Sequence, residues 1–335
     1  MQPTGLTFEG TDDSMNHSDA ISATTVSNKS KRVWITGANG MVGRNLREHA
    51  RAADWDIVAP SRRELDLADL CAVTQFARSQ RIDLVIHAAG QVGGIQANMA
   101  DPVGFLVNNL DMGRNVIMAA FEAEVPALIN LSSSCMYPRG RDHALRESDM
   151  MTGELEPTNE GYALAKIVST RLCDYIARTR PDLAYRTIVP CNLYGRHDKF
   201  DPAASHLVPA IIAKVSHATR TGDGEVEIWG DGSARREFMY AADLADAVWR
   251  AAANPSTMPQ VMNIGIGKDH SILEYYEAVA EVLGWQGRFR FDLSRPVGMQ
   301  RKLSDVSLQR EWGWVPPTAL RDGIAATVKF YQQQA

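Results

Sequence analysis

From Lys31 onward, short apolar runs alternate with longer amphipathic stretches. The runs RVWIT, WDIVAP, IDLVIHAAG, ALINLSS and YRTIVPCN are rich in valine and isoleucine without polar alternation, the pattern of strands buried on both faces. Segments of helical length separate them. That order predicts an α/β fold: a Rossmann-type doubly wound parallel sheet with helices on both sides.

Past Leu193 the character changes. Proline and glycine punctuate residues 206–238, VEIWGDG stands as a strand alone, and a helix over 243–253 with the strand VMNIG can return to the main sheet. Residues from 271 on read as two helices with short strands between them. The expectation is a smaller, partly discontinuous C-terminal substrate domain. Residues 31–193 and about 236–266 would form the nucleotide-binding domain, and residues 194–235 and about 267–335 the substrate domain. Residues 1–30, rich in Ser, Thr, Asp and Asn and without period, read as a disordered extension.

A chain of 335 residues with net charge −5 can bury a sizeable core but offers no global attraction for a polyanion, which argues against nucleic acid. No apolar run approaches the roughly 20 residues of a membrane span, so no membrane partner is expected. The four cysteines, Cys71, Cys135, Cys173 and Cys191, lack CxxC spacing and histidine-rich surroundings, so neither a disulfide framework nor a metal site is indicated. A reducing cytoplasm fits that usage.

Gly37-Ala38-Asn39-Gly40-Met41-Val42-Gly43 follows the first strand directly and opens a helix. The first glycine permits a tight turn, the second lets backbone approach a pyrophosphate, and the third lets helix and strand pack closely. In this context the loop points to a dinucleotide. Pro60-Ser61-Arg62-Arg63 ends the second run, where an acidic residue would bind a ribose 2'-hydroxyl. A guanidinium such as Arg62 suits a 2'-phosphate instead, which favours NADP(H) over NAD.

In Tyr162-Ala163-Leu164-Ala165-Lys166 a phenol and an ammonium stand four residues apart, on one face of a helix. The lysine field should lower the phenol from about 10 toward working pH and make it a general acid or base. Ser132-Ser133-Ser134 ends an intervening strand and offers hydroxyl donors.

The GxxGxxG spacing with YxxxK resembles the short-chain dehydrogenase/reductase superfamily. Ser133-Ser134-Cys135-Met136-Tyr137-Pro138, Val92-Gly93-Gly94-Ile95, Glu156-Pro157-Thr158-Asn159-Glu160, Asn192-Leu193-Tyr194-Gly195 and Ser205-His206 together resemble one of its extended families, the GDP-L-fucose synthases. These are GDP-4-keto-6-deoxymannose 3,5-epimerase/4-reductases, and the likeness runs from about Arg32 to the C-terminal region. Three positions depart from the family's pattern: Gln91 replaces a lysine, Gly161 a proline, and Val297 an aspartate. Another GDP-linked 4-keto-sugar therefore stays open as substrate.

The resemblance implies that Ser133 and Tyr162 hold the substrate carbonyl, with Cys135 as base and His206 as acid at the carbons flanking it. A proton there becomes labile when the enolate oxygen is stabilised. NADPH would then reduce C4 while Tyr162 protonates the oxygen. The resemblance also implies cofactor contacts at Asp66 and Leu67, at the small residues Ala88, Ala89 and Gly90, and at Leu131, Ser132, Ser133, Lys166, Pro190, Cys191, Asn192, Leu193 and His206. For the nucleotide-sugar it implies Asn192, Lys214, Trp229, Arg236 and Lys302. It implies a homodimer as well.

Overall fold

The computed structural model describes residues 30–201, 205–294 and 300–334. Apart from Ser30, the extension read over residues 1–30 lies outside the described residues, as does Val297. The strands are β1 (Arg32–Thr36), β2 (Asp56–Val58), β3 (Leu84–His87), β4 (Ala127–Leu131), β5 (Ala184–Pro190), β6 (Asn192–Tyr194), β7 (Glu225–Trp229), β8 (Arg235–Arg236), β9 (Phe238–Tyr240), β10 (Val261–Ile264), β11 (His270–Ser271), β12 (Arg288–Asp292) and β13 (Arg301–Lys302). The helices are α1 (Met41–Glu48), α2 (Leu70–Ser79), α3 (Ile95–Ala100), α4 (Pro102–Glu122), α5 (Glu160–Thr179), α6 (Leu207–Thr221), α7 (Ala241–Ala253), α8 (Ile272–Leu283), α9 (Ser307–Glu311) and α10 (Leu320–Gln332).

Six strands form one parallel sheet in the order β10-β5-β4-β3-β1-β2. Alternate side chains of each strand leave by opposite faces, and both faces are buried. Val33 and Ile35 of β1 pack with Leu46 of α1 and with Leu244, Val248 and Trp249 of α7. Trp34 leaves by the other face, toward Val73 of α2, Val116 and Ile117 of α4, and Cys173 and Ile176 of α5. The order reverses between β1 and β3, and that crevice at the carboxyl ends of the strands is where open α/β sheets bind ligands.

The smaller unit has its own core. Val208, Ile211 and Ile212 of α6 pack on Tyr275, Tyr276 and Val279 of α8, on Ile324 and Val328 of α10, and on Val226 and Ile228 of β7. Local chemistry sets its helix ends. Ser271 and Glu274 form a reciprocal capping box at α8, and Gly222 and Gly284, at φ 79° and 68°, take the left-handed conformation that ends α6 and α8.

Two expectations need correction here. VEIWGDG is not a strand alone, because β7 pairs in parallel with β12, in the register Glu225↔Arg288 to Trp229↔Asp292. A parallel partner requires a crossover, so it comes from beyond α8 and leaves no local signal. The described residues from 271 on hold three helices rather than two, and the shortest, α9, packs with the main sheet. Gln309 bonds both the amide (2.8 Å) and the carbonyl (3.0 Å) of Gly265, and buried Trp314 donates to Asp246 at 2.7 Å.

Asn263, fully buried on β10, stitches these segments together. Its carboxamide accepts from Tyr137 Oη at 2.5 Å and donates to the carbonyls of Leu145 (2.9 Å) and Asp305 (3.0 Å). Asn263→Ala takes the acceptor from buried Tyr137 Oη and a donor from the Asp305 carbonyl, while the Leu145 carbonyl keeps its bond from Asp305 N, and is expected to cost about 2 kcal/mol of stability. Urea unfolding measures this, and a loss below about 1 kcal/mol would show that the stitch is dispensable.

Candidate active site

The glycine loop has the geometry its sequence predicts. Gly37 sits at φ 68°, and a Cβ there would come within 2.7 Å of the Ala89 backbone. A Cβ on Gly43 would lie 2.3 Å from the Gly37 carbonyl oxygen. The loop therefore runs directly against Ala88 and Ala89, and Gly40 caps α1 with its amide bonded to the Gly37 carbonyl at 3.0 Å. The Thr36 hydroxyl accepts from Ala89 N (3.1 Å) and meets His87 Nδ1 (2.9 Å), which fixes the facing turn. Burial, and then Lys166, push His87 down to about 3, so it stays neutral.

Arg62 and Arg63 stand exposed after β2 and, among the described residues, form no ion pair. Asp66 is exposed beside half-buried Leu67. A Cβ on Gly90 would come 3.1 Å from Asn109 Oδ1 and 3.7 Å from Lys166 Nζ, so this turn passes close to the buried ammonium. Groups that suit a phosphorylated dinucleotide thus line this crevice: bare backbone at a helix start, exposed guanidinium groups, and an ammonium.

The serine-rich segment Ser132–Ser134 joins β4 to a 3-10 turn over Ser134–Met136. Of the three serines, Ser132 bonds Thr170 Oγ1 at 3.1 Å and Ser134 is buried, while Ser133 hydrogen-bonds Tyr162 in the first turn of α5. Burial, and next the adjacent Cys135, push the phenol up, and the Ser133 bond draws it back. This corrects the expected effect of Lys166. Its ammonium lies 5.8 Å from the Tyr162 ring centroid, donates to Leu131 O at 2.9 Å, and is itself driven down to about 8 by burial. The phenol is therefore held protonated.

Cys135 Sγ receives two donors, Asn159 Nδ2 at 3.4 Å and Lys302 Nζ at 3.6 Å. Lys302, expected on the nucleotide-sugar, thus reaches the thiol. Asn159 was not singled out by sequence, although it lies inside the quoted EPTNE motif. Its position three residues before the tyrosine was the available signal. His206 begins α6, and burial, then Lys199, push its imidazole down. A Cβ on Gly94 would lie 3.9 Å from the Ser205 carbonyl oxygen, which sets this segment against the VGGI loop. Among the described residues, no hydrogen bond joins His206 to the thiol or the phenol.

Lys214 and Trp229 come together, with Nζ 5.4 Å from the indole and 3.4 Å from the Glu227 carbonyl. Trp229 is 42% exposed and offers a flat face. Arg236 on β8 is paired in register with Lys302 on β13. Asn192 spends its amide donor on the Glu237 carbonyl (2.9 Å), and buried Cys191 has its thiol pushed up. Pro190 and Leu193 flank that pair at the carboxyl end of β5. Of the departures, Gln91 accepts from Asn108 at 2.7 Å, and a Cβ on Gly161 would come 2.9 Å from the Pro102 carbonyl oxygen. A separate charged cleft of about 790 Å³ includes Arg139, Arg141, Glu154 and Arg301. Arg139 is paired there with Glu154, and Arg301 with Asp269.

Fold and site define a dinucleotide-binding α/β enzyme of the serine–tyrosine–lysine kind. Residues 33–265 match the model of the NAD dependent epimerase/dehydratase family, and the chain belongs to that family. It is 52% identical over 303 residues to a GDP-L-fucose synthase of Azorhizobium caulinodans, covering 90% of this chain and 97% of the relative. It is 49% identical over 300 residues to a GDP-L-colitose synthase of Yersinia pseudotuberculosis, with the same coverages. Among solved structures, a GDP-mannoheptose C4 reductase from Campylobacter jejuni with NADP bound superposes with a TM-score of 0.83 at 28% identity. That match covers 90% of this chain and 98% of the other.

The Lys166 proton is held up to about 10.5 in an unfolded chain but only to about 8 in the native one. Between those values the unfolded state binds more protons, so stability should rise with pH, and below 8 the buried ammonium is a burden. Lys166→Met is expected to flatten that rise between pH 8 and 10, and urea midpoints at pH 7 and 9.5 measure it; a rise as steep as that of the unaltered chain would contradict the assignment.

Proposed function

We propose that the chain converts GDP-4-dehydro-6-deoxy-α-D-mannose to GDP-β-L-fucose, by 3,5-epimerisation followed by NADPH-dependent reduction of the 4-keto group. The observation that carries this is that Ser133 hydrogen-bonds Tyr162 while Cys135, two residues on, lies near enough to act electrostatically on the same phenol, at the carboxyl end of β4. A reductase needs the hydroxyl pair; the thiol beside it is what an epimerase adds. The relatives named for GDP-L-fucose and GDP-L-colitose synthesis support the same substrate class.

Gly37 to Gly43 with Ala88, Ala89 and Gly90 would hold the pyrophosphate and ribose of NADP(H), Arg62 its 2'-phosphate, and Lys166 the nicotinamide ribose. When bound, the cofactor supplies the hydride. Lys214, Trp229 and Arg236 suit the diphosphate and base of the nucleotide.

Cys135 removes the proton from a carbon next to the ketone. The C–H pair becomes the enolate double bond, and the charge moves to the carbonyl oxygen. Ser133 and Tyr162 donate to that oxygen, and His206 returns a proton from the opposite face. After both centres have inverted, Tyr162 gives its proton to the C4 oxygen. The protonated phenol described above is the state this step requires.

The exposed apolar residues Val103 and Val107 of α4 and Leu164, Val168 and Tyr175 of α5 support a homodimer built on these two helices. No described helix is long and apolar enough to cross a membrane, and we place the reaction in the cytoplasm, where the free thiols stay reduced. Val107→Glu with Leu164→Glu is expected to yield monomers in sedimentation equilibrium; an unchanged mass would exclude this face.

Given the keto-sugar and NADPH, the protein should oxidise the cofactor and release a 6-deoxy-L-galactose nucleotide, identified by NMR. Tyr162→Phe should lower reduction by about 10²–10⁴-fold, and Arg62→Ala should weaken NADPH about tenfold while sparing NADH. Cys135→Ser should abolish inversion yet leave reduction of the uninverted ketone measurable. Equal loss of both would remove the base role from Cys135, and no cofactor oxidation would reject the reading as a whole.

A further inference from the structure

We propose that Asn159 and Lys302 are positioning residues that hold the Cys135 sulfur as an anion facing the substrate, two donors from opposite halves of the molecule converging on one atom. The inference rests on the reading of Cys135 as the base.

Asn159 is the residue just before α5, where asparagine is a preferred cap, yet its side chain makes no capping bond. The carboxamide is turned to the sulfur instead, at 3.4 Å. In that orientation its Oδ1 is buried without a partner. A cap forgone and an amide oxygen orphaned are both unfavourable, and a neutral thiol, a weak acceptor, gives little in return. A thiolate accepts strongly from N–H groups and accounts for the choice.

The second donor is anchored from elsewhere in the fold. Lys302 lies on β13, whose backbone pairs with β8. The next residues are bonded across to Leu145, with Leu145 N to Leu303 O and Asp305 N to Leu145 O both at 2.8 Å. The ammonium thus reaches Cys135 from a fixed strand, while Asn159 is set by its amide bond to the Glu156 carbonyl at 3.1 Å. Both donors are carried on hydrogen-bonded backbone, as the orientation of a catalytic atom requires. Negative charge on the sulfur also keeps the neighbouring phenol protonated, so base and acid are held in opposite states. When the thiolate takes the carbon-bound proton, an S–H bond forms, the C–H bond breaks, and its electron pair passes to the carbonyl oxygen. Both donors then face a neutral sulfur, which favours release of the proton and resets the base.

The test separates inversion from reduction. Deuterium wash-in from D2O into the keto-sugar reads the first, and GDP-L-fucose oxidation by NADP in the reverse direction reads the second. Asn159→Asp keeps the shape but reverses the charge presented to the sulfur. It and Lys302→Met are expected to slow wash-in at least about tenfold more than they slow reverse hydride transfer, with Asn159→Ala intermediate. Lys302→Arg, which keeps the charge, should restore wash-in to within about threefold. If Asn159→Asp retained wash-in, Asn159 would be filling space only and the inference would fall. Equal slowing of both reactions would also overturn it. No wash-in by the unaltered chain would instead overturn the reading of Cys135.

Discussion

The catalytic arrangement depends on how α5 is locked against β4. Lys166 crosses from the helix to the Leu131 carbonyl, and Thr170 bonds the Ser132 hydroxyl, both in buried surroundings. A third contact comes from the far side, where Gly113 of α4 admits the Ser169 side chain; a Cβ there would stand 2.3 Å from its hydroxyl oxygen. Polar groups buried this way are costly unless matched, so the matched set fixes the helix in one register. That register sets Tyr162 on Ser133. The hydroxyl pair is thus a consequence of packing one and two turns further along the same helix.

Burial is also the leading influence on the charged groups around this junction. It raises the phenol, lowers Lys166 to about 8, and lowers His87 to about 3. A phenol poised by a nearby ammonium was the simpler expectation, and the structure departs from it because burial dominates at the phenol and the ammonium donates to the Leu131 carbonyl of β4. A protonated phenol is the state that the proposed donation to a ketone oxygen requires. The lysine bears the burial penalty, a common trade of stability for function.

Much of this was readable from local pattern. The sheet strands announce themselves as valine and isoleucine runs, the glycine loop by spacing and position, and Tyr162 with Lys166 by the helical repeat. These signals are short-range. What stayed hidden was the long-range geometry: the parallel pairing of β7 with β12, the packing of Trp314 on α7, and the contact between Lys302 and Cys135 across 167 positions. Sequence spacing carries no information about such a contact. Choosing Ser133 among three serines likewise needed a resemblance, because only the fold shows that its neighbours are turned inward.

The two halves meet through Glu237, and this bears on how binding and chemistry are joined. Its carboxylate is buried, and it accepts from Gly267 N and Ser304 N, each at 2.8 Å. Its own carbonyl accepts from Asn192. Glu237 follows Arg236 directly, and Ser304 lies two positions past Lys302. The same buried acid therefore sets the backbone of the residue suited to the diphosphate and of the residue that reaches the thiol. Arg236 and Lys302 are paired in register on β8 and β13, so the two residues proposed for the nucleotide and for the thiol stand on one small sheet and move together with it.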